Sequence, residues 1–374
     1  MEVIRPMTAL GMMSGTSIDG VDAALIITDG IDIYETGPAI TRHYDEELKN
    51  KIRSILWLEG PENAEKIAEV EKDVTLFHAE VAKNLLENSC LEPVDIDVVG
   101  FHGHTILHNP SERKTHQIGN GKLLADELGI EVINRFRNVD VTCGGQGAPL
   151  VPVFHEAMTR NIERPVAVLN IGGVANFTWI GENGELLAFD TGPGNAMIDD
   201  WVNKTTDSAM DYDGNFAVKG NVEQKILNKM MSNEYFIKIP PKSLDRNEFM
   251  KYMQDLEGMS PEDGAATLTA FTAEAVAYAV QKHFPKPVKQ IIVSGGGARN
   301  PTLMRMIRQR VPIDVVKASS LGWNGDAFEA QAFAFLAVRS VFGLPISFAS
   351  TTGVPHATSG GTRHFPKNPS MAIK

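Results

Sequence analysis

Phe189-Asp190-Thr191-Gly192-Pro193-Gly194-Asn195 sets an acid at the end of a short apolar run, against a glycine turn and the start of a helix. Ligands of open α/β sheets collect at the carboxyl ends of strands, so a carboxylate there can serve as a general base, taking a proton from water or a hydroxyl as that oxygen attacks. The plainer reading is an Asp that ties its own turn through Asx hydrogen bonds, and spacing alone leans slightly toward it. Ser14-Gly15-Thr16-Ser17-Ile18-Asp19-Gly20 is the sharpest local feature. Small residues let the backbone approach an anion closely, and three hydroxyls with free N–H groups can donate to phosphate oxygens. A hairpin turn tipped by Asp19-Gly20 accounts for the same residues. No Lys follows the glycine as in a Walker A loop, and no GxGxxG fingerprint is present, which disfavours a dinucleotide-binding Rossmann enzyme.

Three further groups can carry chemistry. On a strand His102 and His104 of Phe101-His102-Gly103-His104-Thr105 share a face, which is compatible with metal ligation together with His108. No acid or cysteine at the usual spacing completes a shell, so the expectation is a substrate-edge or structural role. Gly144-Gly145-Gln146-Gly147-Ala148-Pro149 follows Arg135, Arg137 and Asp140. Arg137 can clamp a carboxylate or phosphate bidentately, against the alternative of a surface ion pair with Asp140. Glu329 sits on an otherwise small and apolar helix face, where a carboxylate is often functional or paired.

The elements that must position these groups alternate. Val166 to Ile171, Leu186 to Asp190 and Ile291 to Ser294 are short, β-branched, apolar runs that end at glycines and read as buried strands. Helical spacing covers Asp45 to Leu58, Ala64 to Leu86, Asn195 to Val202, Val222 to Met231, Pro261 to Phe284, Pro301 to Arg310 and Gly325 to Phe342. Ser260-Pro261-Glu262-Asp263 supplies a cap, a proline at the first helical position and first-turn acids. Ile291 to Ile307 reads as strand, glycine turn and capped helix, a unit that can seat an adenine ring or a phosphate. The fold class is therefore α/β. Leu10 to Ile27 and Leu169 to Ile180 both run strand, small-residue turn, strand, an internal echo of two hairpin-led halves facing one ligand across a cleft. The expected division is 1–140 plus about 345–374, and 141–344, with a helix over Val141 to Arg160 bridging the halves.

Composition narrows the function classes. The 374 residues carry 35 basic and 47 acidic side chains, a formal charge of −12, which disfavours a nonspecific nucleic-acid or anionic-membrane binder. Cys90 and Cys143 form no CxxC pair, so neither a disulfide framework nor structural zinc is expected, and the compartment reads as reducing. The N-terminus lacks a signal-peptide core, and Ala327 to Val338, broken by Glu329 and Gln331, falls short of the roughly 18 apolar residues of a membrane helix. A soluble, cytoplasmic chain is expected.

In order, GMMSGTSIDGVDAAL, GFHGHTILHNP, QIGNG, FRNVDVTCGGQGAPLVP, LNIGGVANF, FDTGPGNAMID, DGAATLTAFTA, VSGGGARNPTLM and GDAFEAQAFAFLA closely resemble the anhydro-N-acetylmuramic acid kinase family, from about Leu10 to about Gly361. The resemblance implies membership of the actin, sugar-kinase and heat-shock ATPase superfamily, with two related domains, an interdomain ATP cleft and a homodimer. It implies that Ser14, Gly15, Thr16, Ser17, Ile18, Asp19 and Gly20, with Gly172, Gly173 and Asn176 of the second hairpin, grip the phosphates of ATP. Gly295, Gly296, Gly297 and Asn300 match the adenosine motif. Met12 and Asn170 stand where superfamily hairpins commonly carry an Asp, so a Mg²⁺ ligand must come from elsewhere, with Asp19 or Asp22 as candidates through water.

The implied activity is hydrolysis of the 1,6-anhydro ring of anhydro-N-acetylmuramic acid coupled to phosphorylation of O6, in peptidoglycan recycling. Asp190 would be the base that activates water, Arg137 would meet developing charge, and Glu329, His102 and Gln146 would bind the sugar. Pro241-Lys242-Ser243 keeps the family's pattern, but Leu244-Asp245 replaces the usual Thr-Gly, which puts that loop's contact in doubt. A levoglucosan-type kinase shares the same motifs, and a noncatalytic ATP-binding module is the alternative from another class.

Overall fold

The computed structural model describes residues 4–245, 248–325 and 327–368. Arg246 and Asn247 of the Pro-Lys-Ser loop, Asp326 of the expected 325–342 helix and the end of the tail, 369–374, lie outside the described residues. The chain divides into two units, one of residues 1–158 with 326–374 and one of residues 159–325.

The first unit runs through β1 (Met7–Ser14), β2 (Gly20–Thr28), β3 (Ile33–His43), α1 (Glu46–Arg53), α2 (Ala64–Asn88), β4 (Val98–Asn109), β5 (Lys114–Ile118), α3 (Gly121–Leu128), β6 (Val132–Asn134), α4 (Asn138–Thr142) and α5 (Pro152–Met158). The second holds β7 (Val166–Ile171), β8 (Val174–Ile180), β9 (Leu186–Pro193), α6 (Ala196–Thr205), α7 (Gln224–Met231), α8 (Pro261–Lys282), β10 (Gln290–Ser294), α9 (Pro301–Arg310) and β11 (Asp314–Lys317). Then α10 (Phe328–Val341) and β12 (Thr362–His364) return to the first unit.

Each unit is built on one sheet. In the first the strand order is β12-β6-β4-β1-β2-β3, with β5 paired to β4. In the second it is β11-β10-β7-β8-β9. The echo seen in the sequence is a repeated topology: an antiparallel meander of three strands (β1 to β3, β7 to β9) whose first strand pairs in parallel with a later one, β4 or β10. A further parallel strand follows in each, β6 or β11.

Strand alternation decides what covers the first sheet. Leu10 and Met12 face a core shared with Val70, Val74 and Val81 of α2. Gly11 on β1 and Gly100 on β4 face the other way, where a Cβ would overlap the backbone of α10 at Ala330 and Phe333. The helix can lie that close only because both positions lack a side chain.

Two expectations are displaced. Both α5 and α10 belong to the first unit, so its limits are 158 and 326 rather than 140 and 345; Phe154 of α5 packs at ring distances of 5.0 and 5.8 Å on Phe328 and Phe335 of α10. The helix expected over 141–160 is two helices. Gly144 and Gly147, at φ 93° and 70°, break it between Thr142 and Pro152.

Gly11→Ala or Gly100→Ala is expected to destabilise the first unit by about 1–3 kcal/mol or more, as overpacking does where backbone is the obstacle. A lowered urea midpoint would show it; an unchanged midpoint would mean that α10 lifts away freely.

Candidate active site

In the second unit the register places Asn170 opposite Asn176 and Asn176 opposite Asp190 across β7, β8 and β9. Leu169, Phe177 and Phe189, one residue away on each strand, point into the core with Val276 of α8 and Leu303 of α9. Alternation therefore turns Asn170, Asn176 and Asp190 to the opposite face as a polar row. Half-buried Asp190 is clamped at three atoms. Its N–H donates to the Lys242 carbonyl at 2.9 Å, its carbonyl accepts from the Tyr235 hydroxyl at 2.7 Å, and its Oδ2 accepts from the Leu244 N–H at 2.7 Å.

The carboxyl is thus held by a loop 54 residues further along the chain and not by an Asx bond within its own turn. It also answers the doubt over Leu244-Asp245: the contact is a main-chain N–H, which Leu supplies as well as Thr. Burial pushes the Asp190 carboxyl up to about 7, with the Leu244 N–H and the Lys242 ammonium opposing the rise. Lys242 is itself brought down to about 8 by burial and by Lys238. Its Nζ donates to the carbonyls of Tyr235 at 3.0 Å and Phe236 at 3.3 Å, fixing the loop to the segment that carries the Tyr235 hydroxyl. Nothing in the sequence pointed to Tyr235, and Lys242 was marked only by its place in Pro241-Lys242-Ser243.

The glycine turns of this unit converge. The carbonyls of Gly172 and Gly173 accept from Asn195 N–H at 2.8 Å and Gly194 N–H at 2.9 Å, joining the β7–β8 turn to the start of α6. Ser294 pairs with Asn170, so Gly295, at φ 79°, follows directly beside the end of β7. A Cβ at Gly295 would meet the Asn170 Oδ1, and one at Gly297 would overlap Ile171. Asn300 caps α9, its Oδ1 accepting from the Leu303 N–H at 2.9 Å.

In the first unit the Ser14–Gly20 segment is the β1–β2 hairpin turn. Thr16 and Ser17 are exposed, and a Cβ at Gly15 would meet nothing closer than the Ser17 hydroxyl at 3.7 Å. Ser14 differs from the expectation that three hydroxyls face a phosphate. It is 1% exposed, and its Oγ accepts from the Tyr44 hydroxyl at 2.9 Å and lies 3.0 Å from His104 Nδ1. Asp19 is exposed, while Asp22 on β2 accepts from the Thr41 hydroxyl at 2.5 Å.

The expected common face of His102 and His104 is lost. Gly103 adopts φ 72°, the β1–β4 register slips between Met12 and Ser14, and the two rings go separate ways. His102 packs on Phe333 at 4.5 Å and its Nε2 accepts from Arg137 Nε at 3.1 Å, while its Nδ1 lies 2.9 Å from the Gly103 carbonyl. Burial and the guanidinium hold His102 well below its ordinary value, so it stays neutral and can accept. Arg137 Nη1 donates to the Gly147 carbonyl at 2.8 Å.

Asp140 is spent elsewhere: its carboxylate accepts from Gly147 N–H and the Thr352 hydroxyl, each at 2.6 Å, so it shapes the 144–149 loop instead of pairing with Arg137. Gln146 lies exposed on that loop, its N–H on the Thr352 carbonyl at 2.7 Å. Burial lowers Arg137 to about 10, against the attraction of Glu329 and Asp140. Glu329, in the first turn of α10, has its carboxyl raised by desolvation, with Arg137 opposing and Asp22 reinforcing. Its side chain is nevertheless exposed by surface area, with the Arg137 and Asp22 charges nearby. Among the described residues no group of three or more His, Cys, Asp or Glu side chains is placed to hold a metal ion.

The family model for anhydro-N-acetylmuramic acid kinase matches residues 7–366. The chain belongs to this family. An anhydro-N-acetylmuramic acid kinase of Paramagnetospirillum magneticum is 51% identical over 361 residues, covering 96% of this chain and 100% of the relative. Those of Rhizorhabdus wittichii and Rhodospirillum rubrum are 49% and 48% identical, over 96% and 95% of this chain and 99% and 93% of their own lengths. Asp190, Arg137 and Glu329 thus lie within the span of the anhydro-N-acetylmuramic acid kinase match.

A carboxyl that binds its proton more tightly folded than unfolded makes the protein more stable in acid, and that stability is lost as pH rises from about 4 to about 7. Asp190→Asn is expected to leave stability unchanged below pH 4 and to raise it by on the order of 2 kcal/mol at pH 8. Urea titrations at the two pH values test this; equal stability at pH 8 would mean that the ionised carboxylate is well solvated.

Proposed function

We propose that the protein is an ATP-dependent kinase that opens the 1,6-anhydro ring of anhydro-N-acetylmuramic acid with water and phosphorylates the released O6, giving N-acetylmuramic acid 6-phosphate. The observation that carries this reading, beside membership of the family, is a half-buried carboxyl within β9, on the polar face of the sheet, pushed up to about 7, where a general base works best near neutral pH. Asp190 takes a proton from water as its oxygen bonds to the anomeric carbon. The bond from that carbon to O6 breaks, O6 attacks the γ-phosphorus of ATP, and ADP leaves with the electrons of the broken P–O bond. The clamp from Leu244 occupies Oδ2 and leaves Oδ1 to the water.

Positioning and electrostatics supply most of the acceleration in phosphoryl transfer. The backbone of the Ser14–Gly20 turn, with Thr16 and Ser17, and the Gly172-Gly173 turn beside Asn176 hold the phosphates, and Gly295, Gly296, Gly297 and Asn300 line the adenosine side. Arg137 fits an anionic or oxygen-rich ligand: Nε and Nη1 are spent on His102 and Gly147, which fixes the plane of the guanidinium. His102 acts through Arg137, while Glu329 and Gln146 bind sugar polar groups. Asp19 and Asp22 are hard oxygen donors suited to a water-rich Mg²⁺ bound mainly by phosphate oxygens, and such an ion would offset phosphate charge. The proposed substrate and the family support a cytoplasmic role in recycling cell-wall fragments, and the resemblance implies a homodimer.

Incubation with ATP, Mg²⁺ and anhydro-N-acetylmuramic acid is expected to yield ADP and a sugar heavier by one water and one phosphoryl group in mass spectrometry. A product heavier by the phosphoryl group alone would sink the coupled mechanism. Asp190→Asn is expected to lower kcat by about 10² to 10⁴-fold and to spare ATP binding. Because the base must be ionised, kcat/KM should climb with pH and level off above about 7, the value toward which burial pushes Asp190. A profile flat from pH 5 to 8 would remove Asp190 from that role.

A further inference from the structure

A buried polar cluster that the proposed mechanism does not use lies behind the first hairpin turn. Ile18, a β-branched residue, holds φ 59° in that turn with its side chain 5% exposed. Such a conformation is strained and persists only where surrounding contacts over-determine it. Within the turn the backbone offers one bond, from Ile18 N–H to the Gly15 carbonyl at 3.1 Å. The rest of the restraint comes from outside. Tyr44, just after β3, reaches both ends of the turn: its hydroxyl donates to Ser14 Oγ at 2.9 Å and its N–H donates to the Asp19 carbonyl at 3.0 Å. His104 Nδ1 meets the same Ser14 Oγ from β4 at 3.0 Å. Ser14, Tyr44 and His104 are 1%, 3% and 0% exposed, so each bond is made away from water, where losing a partner leaves a polar group stranded.

We infer that Tyr44 and His104 are positioning residues that buckle the Ser14–Gly20 turn through Ser14, with the Ser14 hydroxyl proton directed to Nδ1 of His104. The chain of donors runs one way. Tyr44 donates to Ser14, Ser14 donates to His104, and the ring proton of His104 therefore sits on Nε2. That nitrogen is buried without a partner among the described residues, so the Ser14 contact orients the ring. Burial brings His104 down to about 4 and raises Tyr44, which keeps both groups neutral through the physiological range. The consequence for ligand recognition is specific: Ser14 holds the turn from behind, and an anion meets main-chain N–H groups with the exposed hydroxyls of Thr16 and Ser17. This consequence rests on the proposed role of the turn in holding ATP phosphates; the buckle itself does not.

The test uses the full chain with Tyr44→Phe, His104→Leu and His104→Asn, the last because its side-chain carbonyl can take the place of Nδ1 as acceptor. Hydrogen exchange without nucleotide reads the buckle, and calorimetry with Mg²⁺ and a nonhydrolysable ATP analogue reads its consequence. Tyr44→Phe and His104→Leu are expected to speed exchange of the 15–20 amides and to weaken the analogue about tenfold, the weight of one buried hydrogen bond, with sugar affinity unmoved. His104→Asn should restore both. Unaltered exchange in Tyr44→Phe and His104→Leu would overturn the buckle. Faster exchange in a protein whose unaltered form fails to bind the analogue would uphold the buckle and overturn the nucleotide reading of the turn.

Discussion

The carboxyl of Asp190 is held where water is scarce and where, among the described residues, the Leu244 N–H and the Lys242 ammonium compensate it. That balance is the constraint on which the second unit's site depends. A closer cation would pull the group down toward an ordinary carboxylate, while loss of the Leu244 N–H would push it further up. Keeping it between those limits requires the sheet alternation that turns residue 190 away from Phe189's core. It also requires a loop anchored by Lys242 at the carbonyls of Tyr235 and Phe236.

The same topology is used twice, and each copy places a tight turn between its first two strands. The two turns are held by different means. In the second unit the carbonyls of Gly172 and Gly173 accept main-chain N–H groups from the start of α6, and Gly295 and Gly297 let the end of β10 close on β7. In the first unit buried side chains add to the main-chain bonds, with Tyr44 and His104 behind Ser14 and the Tyr44 N–H on the Asp19 carbonyl. Main-chain bonds are available to any residue, so one turn is secured by glycine spacing and the other also by particular side chains.

Arg137 shows how a guanidinium can be aimed before any ligand arrives. Neutral His102 accepts at Nε, Gly147 accepts at Nη1, and Asp140 draws the Gly147 loop into place without pairing with the arginine. The acid nearest in sequence therefore shapes the loop, and the histidine that read as a sugar contact is the arginine's support. With a neutral histidine as the acceptor there, the negative charge that the guanidinium feels comes from Glu329 and Asp140 instead.

Much of the framework around the candidate site was legible in the sequence, because local rules govern it. Apolar runs ending in glycines marked β7 and β10 with the turns beyond them, Ser260-Pro261 marked the start of α8, and the order of motifs marked the family. Side-chain direction was not legible. One glycine at positive φ separated His102 from His104, two more divided the helix expected over 141–160, and the inward turn of Ser14 depends on Tyr44, 30 residues away. Leu244 and Lys242 reach Asp190 across more than fifty residues, a distance over which spacing carries no information. The sequence by itself determined which strands, turns and acids exist, since those follow from period, capping and backbone freedom. Only the tertiary structure decided which face each polar group shows and how far burial moves its proton, since both depend on neighbours brought together by packing.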